Sequence, residues 1–151
     1  MREIIQVLMA ALGSVGFAML FQLHGKKLII AGFGGGISWI VYLLAAKLGN
    51  DMLALFCASF VVASIAEVGA RVQKTPVLVL EVPMLIPLIP GADLYRLMFC
   101  IISLGIRNSM DYLVRLSQEV LLIAASIILV STIVSVIVNI HSTLAVSTKI
   151  L

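Results

Sequence analysis

Charge is scarce in this chain: 11% of its 151 residues are Asp, Glu, Lys or Arg and 62% are hydrophobic, whereas soluble domains carry about 25% charged and about 45–50% apolar residues. That imbalance, with a mean hydropathy of +1.22, excludes an ordinary water-soluble fold. Histidine is nearly absent, with two residues, His24 and His141, isolated at the ends of apolar runs. No Ser/His/Asp arrangement and no His, Asp or Glu pair at metal-ligand spacing exists, so neither a soluble-type hydrolase nor a metal enzyme is expected. The two cysteines, Cys57 and Cys100, stand alone in apolar stretches without a CxxC or Cys/His partner, and read as small buried hydrophobes. The ten Lys and Arg against seven Asp and Glu give +3. They are spread singly between apolar blocks, so they read as topology signals and exclude a nucleic-acid patch. The N-terminus lacks the short apolar core and cleavage site of a secretory signal, since its apolar run continues to Leu23.

What is abundant is long apolar sequence. A helix needs about 20 apolar residues to cross about 30 Å of hydrocarbon, so the chain has room for four or five spans in a single transmembrane domain over 1–151. Spans are expected at 4–23, 28–46, 52–70 and 120–140, separated by His24-Gly25-Lys26-Lys27, by Lys47 to Asp51, and by Arg71, Lys74 and Pro76. Basic residues favour the cytoplasmic side of short loops. The loops at 26–27 and 71–74 are therefore expected inside and the N-terminus outside.

Proline is confined to Pro76, Pro83, Pro87 and Pro90. The apolar segment 77–106 is too long for one untilted crossing and too short for two. Each proline removes a backbone donor and clashes with the preceding turn, so a broken or re-entrant helix is expected, divided around Ile86-Pro87-Leu88-Ile89-Pro90-Gly91. Asp93 is the expected cap of the second piece. A break at membrane depth exposes a helix start that favours a carboxylate, as carried by amino acids and small organic acids; a kink that only shapes the bundle is the plainer alternative. Residues 107–119 place Arg107, Asp111, Arg115 and Glu119 four apart, an ion-pair ladder on a helix that lies at the membrane surface or extends the last span.

A few polar groups fall inside apolar runs. Glu67 has Arg71 one turn further along, which reads either as an interfacial pair or as a carboxylate that exchanges a proton during transport. Glu81 lies in the first half of the broken segment with the same two readings. Arg96 sits on the first turn of the second half, where it meets an anionic solute or pairs with Asp93 or Glu81. Gly32 and Gly36, with Gly34 and Gly35 between them, and Gly13 and Gly16, read as close helix packing. Ser131, Ser135 and Asn139 recur every four residues and suggest interhelical hydrogen bonds or a polar route; Trp39 and Tyr42 mark an interfacial belt.

Gly16-Phe17-Ala18-Met19-Leu20-Phe21, Gly36 with Trp39 and Tyr42, Thr75-Pro76, and Ile86 to Gly91 with Tyr95 together resemble the threonine/serine exporter family over roughly residues 10 to 105. The similarity is to its smaller C-terminal module, a separate protein in many bacteria. The apolar runs and prolines point to an all-α polytopic membrane helix bundle of about five transmembrane segments, one proline-broken, plus an interfacial helix, expected in the bacterial cell membrane. The resemblance implies proton-driven export of threonine and serine or of a dicarboxylate such as succinate, and a larger exporter subunit as partner. Carried onto this sequence, the motif points to Pro87, Pro90, Gly91 and Tyr95, to which Arg96 is added for substrate, with Glu67 and Glu81 for the proton. Membrane lipid surrounds the chain, a homo-oligomer is a further expected assembly, and no cofactor, metal or nucleic acid is expected. The alternative is an assembly or binding subunit without a transport path of its own.

Overall fold

A computed structural model describes residues 1–150, with side chains placed for all but 104, 107, 108 and 141–150; Arg107 and His141 fall among the latter. Every regular element in it is helical: α1 (Arg2–Leu20), α2 (Lys26–Ala46), α3 (Asp51–Gln73), α4 (Val77–Leu85), α5 (Gly91–Leu104) and α6 (Met110–Ile150). Single 3-10 turns lie at Ile86–Leu88 and Ile106–Ser109. Four of these helices are long and apolar enough to cross a membrane, and the bent pair α4–α5 brings the total to five if counted as one span.

Local chemistry sets the ends. Asn50 caps α3, its Oδ1 accepting from the amides of Met52 at 3.1 Å and Leu53 at 3.3 Å. At the other end Lys74 adopts the left-handed conformation and the Thr75 amide bonds back to the Ala70 carbonyl at 2.9 Å. α1 stops three residues earlier than its apolar run, because Gln22 also turns left-handed (φ 57°).

The core is built from small residues. Lipid tails are as apolar as leucine, so helices in a bilayer associate through close packing, which small side chains permit. Ala31, Ala54, Ala58 and Ala66 are fully buried among α2 and α3. Gly35 lies directly against Ser14 of α1, Gly34 against Met84 of α4, and Gly32 against Val15, so a side chain at these glycines would occupy its neighbour's place. The glycine face of α2 thus seats α1 on one side and α4 on the other.

The proline segment is broken as its sequence predicts, with α4 and α5 at 62°. Pro83 is accommodated inside α4. The break itself is a 3-10 turn followed by Pro90 at φ −74°, ψ 61°, where the Gly91 amide bonds to the Ile89 carbonyl at 2.7 Å, an inverse γ-turn.

Two details differ from expectation. Residues 110–119 are not a separate interfacial helix; after the 3-10 turn at Ile106–Ser109 they form the first turns of α6, which runs on without interruption. The apolar run from Val120 gives no reason to break, and no proline or glycine separates it from Met110. Asp93, in the first turn of α5, makes no capping bond to the helix start; its carboxylate is drawn to arginines instead. Because Asp93 contacts Arg115 near the start of α6, α5 starts and α6 enters the bundle at one and the same end. That end also holds the ion pair of Glu3 with Lys47 at 3.1 Å and the start of α3. The break therefore lies level with the first turn of α3.

Candidate solute cavity at the helix break

The bend between α4 and α5 leaves a cavity of about 210 Å³, enough for several water molecules of about 30 Å³ each. Pro87, Leu88, Ile89, Pro90 and Gly91 form one wall. Trp39 and Tyr42 of α2, stacked with ring centroids 5.1 Å apart, form a second. The remaining wall is charged: Asp51 of α3, Asp93 of α5, and Arg115 and Glu119 of α6.

Arg115 ties three helices together. Its Nε lies 3.3 Å from Glu119 Oε1 and 3.7 Å from Asp93 Oδ2, and its Nη2 lies 3.9 Å from Asp51 Oδ2. Asp93 is also held by Arg96 at 3.2 Å on the outer side. Two side-chain atoms of the lining residues, Trp39 Nε1 and Glu119 Oε2, are buried behind the wall without a hydrogen-bond partner. Buried polar atoms are nearly always paired; these two belong to lining residues but are themselves covered, one a donor and the other an acceptor.

A second polar cavity, of about 190 Å³, lies at the far end of α3 between Glu67, Glu81, Val77 and Ser131 of α6. Residues 51 and 67 are 16 apart on one helix, about 24 Å at 1.5 Å per residue. Glu67 is 9% exposed and Glu81 4%. Arg71 reaches Glu67 at 3.4 Å from a half-exposed position. Glu81 has no ion-pair partner among the described residues.

Of the residues expected from sequence, Pro87, Pro90 and Gly91 line the first cavity, and Glu67 and Glu81 meet at the second. Tyr95 is 70% exposed and stacks on Phe99 outside the cavity, and Arg96 faces outward onto Asp93. Ser131 lines the second cavity, while Ser135 and Asn139 are exposed on α6. Sequence reasoning did not bring Asp51, Arg115 or Glu119 to the break. The available signal was the spacing of Arg115 and Glu119, which a surface-lying helix explained equally well. No group of three His, Cys, Asp or Glu with metal-holding geometry occurs among the described residues.

An all-helical bundle with four or five apolar spans, six of whose charged residues line two small cavities beside a broken helix, is a multi-pass membrane protein of the transporter class. The family model described as "Threonine/Serine exporter, ThrE" matches residues 6–133, which covers α1 to the middle of α6, and the chain belongs to that family. No curated protein and no solved structure matches it.

Proposed function

We propose that the chain is the small subunit of a secondary-active exporter in the bacterial cell membrane. It moves a small carboxylate-bearing metabolite, threonine and serine or a dicarboxylate such as succinate, together with a larger subunit of the same family. The observation that carries this reading is the cavity at the proline break. Interrupted helices are a common way for transporters to line solute paths, and this cavity is lined by four charged side chains, those of Asp51, Asp93, Arg115 and Glu119. Pro87, Pro90 and Gly91 supply its backbone wall, and Tyr95 and Arg96, just outside, stand on the helix that closes it. Glu67 and Glu81 carry the coupling proton. An unpartnered carboxylate deep between helices is stable when it takes a proton and is released into its charged form when the site meets water.

The second reading is a subunit that orders a larger permease without a path of its own. Its support is the thin packing of α6, which over residues 110–140, beyond its contacts with α3 and α5, exposes most of its apolar side chains. Reconstitution in vesicles separates the two. The chain with the larger subunit is expected to release threonine, serine or succinate when a pH gradient is imposed, and the larger subunit alone is expected to release little. Equal efflux with and without this chain, or no efflux of any of the three solutes from the pair, overturns the exporter reading.

A further inference from the structure

The cavity at the far end of α3 carries oxygen atoms that the packing around it leaves unused. Glu67 of α3, Glu81 of α4 and Ser131 of α6 line it, and the rest of its wall is apolar. Glu81 is 4% exposed and has no hydrogen bond or ion pair among the described residues, yet neither of its oxygens is sealed off as Glu119 Oε2 is. The surface its carboxylate keeps is therefore turned to the cavity. Ser131 points the same way independently. Ser64, Ser117 and Thr132 each donate to the carbonyl four residues back, the usual resort of a hydroxyl on a helix. Ser131 makes no such bond and lines the cavity instead. Arg71 reaches Glu67 at 3.4 Å from outside the cavity, so two carboxylates face one arginine and one negative charge is unmatched, a costly state in hydrocarbon. A proton shared by two carboxyls brings them into hydrogen-bond contact, and no hydrogen bond joins Glu67 to Glu81 among the described residues. Open space of about 190 Å³ lies there instead, room for an ion with several waters of about 30 Å³ each.

We propose that Glu67, Glu81 and Ser131 form a site for a small monovalent cation, sodium, whose shell is completed by water in the same cavity. Two carboxylates and a hydroxyl make an all-oxygen donor set, which suits a hard cation. The single unmatched charge makes that cation monovalent, since a divalent ion leaves the site one charge positive. The inference goes beyond the proposed function: it uses the pair to which that reading gives the proton, but needs no transport by this chain. The ligands come from α3, α4 and α6, and α4 and α6 do not otherwise approach each other closely. Sodium bound there joins α6 to the first half of the broken segment.

The purified full chain in lipid nanodiscs, in sodium-free choline buffer at one fixed pH, is titrated with radiolabelled sodium, and binding is read by scintillation proximity. Saturable binding is expected, displaced by unlabelled sodium and not by magnesium, which gives up its water reluctantly. Sodium is also expected to raise the unfolding temperature, as a ligand of the folded state does. Glu81→Gln is expected to weaken sodium about tenfold or more, the effect of removing one charge from a poorly solvated site, and Ser131→Ala about threefold, through loss of one oxygen. Asp111→Asn, at an exposed carboxylate near the start of α6, is expected to leave the affinity unchanged. Each variant is first checked for a monodisperse, helical state, and Glu67→Gln serves where Glu81→Gln fails to fold. No saturable sodium binding, magnesium displacing as well as sodium, an affinity unchanged in both the folded glutamine variant and Ser131→Ala, or an equal loss in Asp111→Asn overturns the site. Vesicle efflux is read separately. Sodium binding without efflux from the pair leaves the site standing and removes the exporter reading, and efflux from a pair that binds no sodium does the reverse.

Discussion

At one end of α3, Asp51 joins two other carboxylates around a shared arginine, beside stacked aromatics and an open turn of backbone. At the other end Glu67 and Glu81 face each other across a cavity of similar size, with one arginine at its rim. The first cavity offers a wall of several chemistries, and the second two carboxylates and one hydroxyl among apolar side chains. A varied wall can orient a solute; a carboxylate pair among apolar side chains can do little but hold and release a proton or another small cation. The two lie about 24 Å apart along one helix, so on the proposed reading the solute and the proton would be held by separate groups.

That division can be broken. The largest expected effect comes from Glu81→Gln: in vesicles containing the pair, solute release driven by a pH gradient should fall about tenfold or more, as for loss of an essential proton carrier. Exchange of labelled for unlabelled solute, which needs no net proton, should persist. A variant that keeps its full response to the gradient removes Glu81 from coupling and erases the contrast between the ends.

A smaller effect separates cavity from scaffold. Gly35→Leu, on the face of α2 where Ser14 leaves no room, should cost about 1–3 kcal/mol by overpacking, seen as a lower unfolding temperature in detergent. Gly13→Ala, where nothing lies within 4 Å, should be neutral or stabilise by up to about 1 kcal/mol. Equal effects at the two glycines contradict the close approach of α1 and α2. The smallest effect is expected at Asn50→Ala, which removes the cap of α3 for about 1 kcal/mol. It should lower the unfolding temperature slightly and weaken solute binding near Asp51 before it alters coupling at Glu67.

The helices were readable because each depends on a short stretch of chain. Apolar runs interrupted by Lys26-Lys27, by Lys47 to Asp51 and by Arg71 to Pro76 delimit α1, α2 and α3 to within a few residues. Prolines at fixed positions break the fifth segment wherever it packs. The segment 107–119 was less legible, since charges four apart suit a helix on the membrane surface and an extension of a span equally. Asp93 was misread as a cap for a related reason: a carboxylate in a first helical turn has both local amides and distant arginines within reach, and only the fold brings Arg115 close enough to win.

By itself the sequence determined that this chain lives in a bilayer, where its spans begin and end, and that one of them is interrupted, because burial in hydrocarbon and the missing proline donor act on neighbouring residues. The tertiary structure alone decided that the interruption lies level with the start of α3 and that Asp51, Asp93, Arg115 and Glu119 share one cavity. Those four come from α3, α5 and α6, and charges so far apart along the chain become neighbours only once glycine-lined packing has fixed how the helices lie.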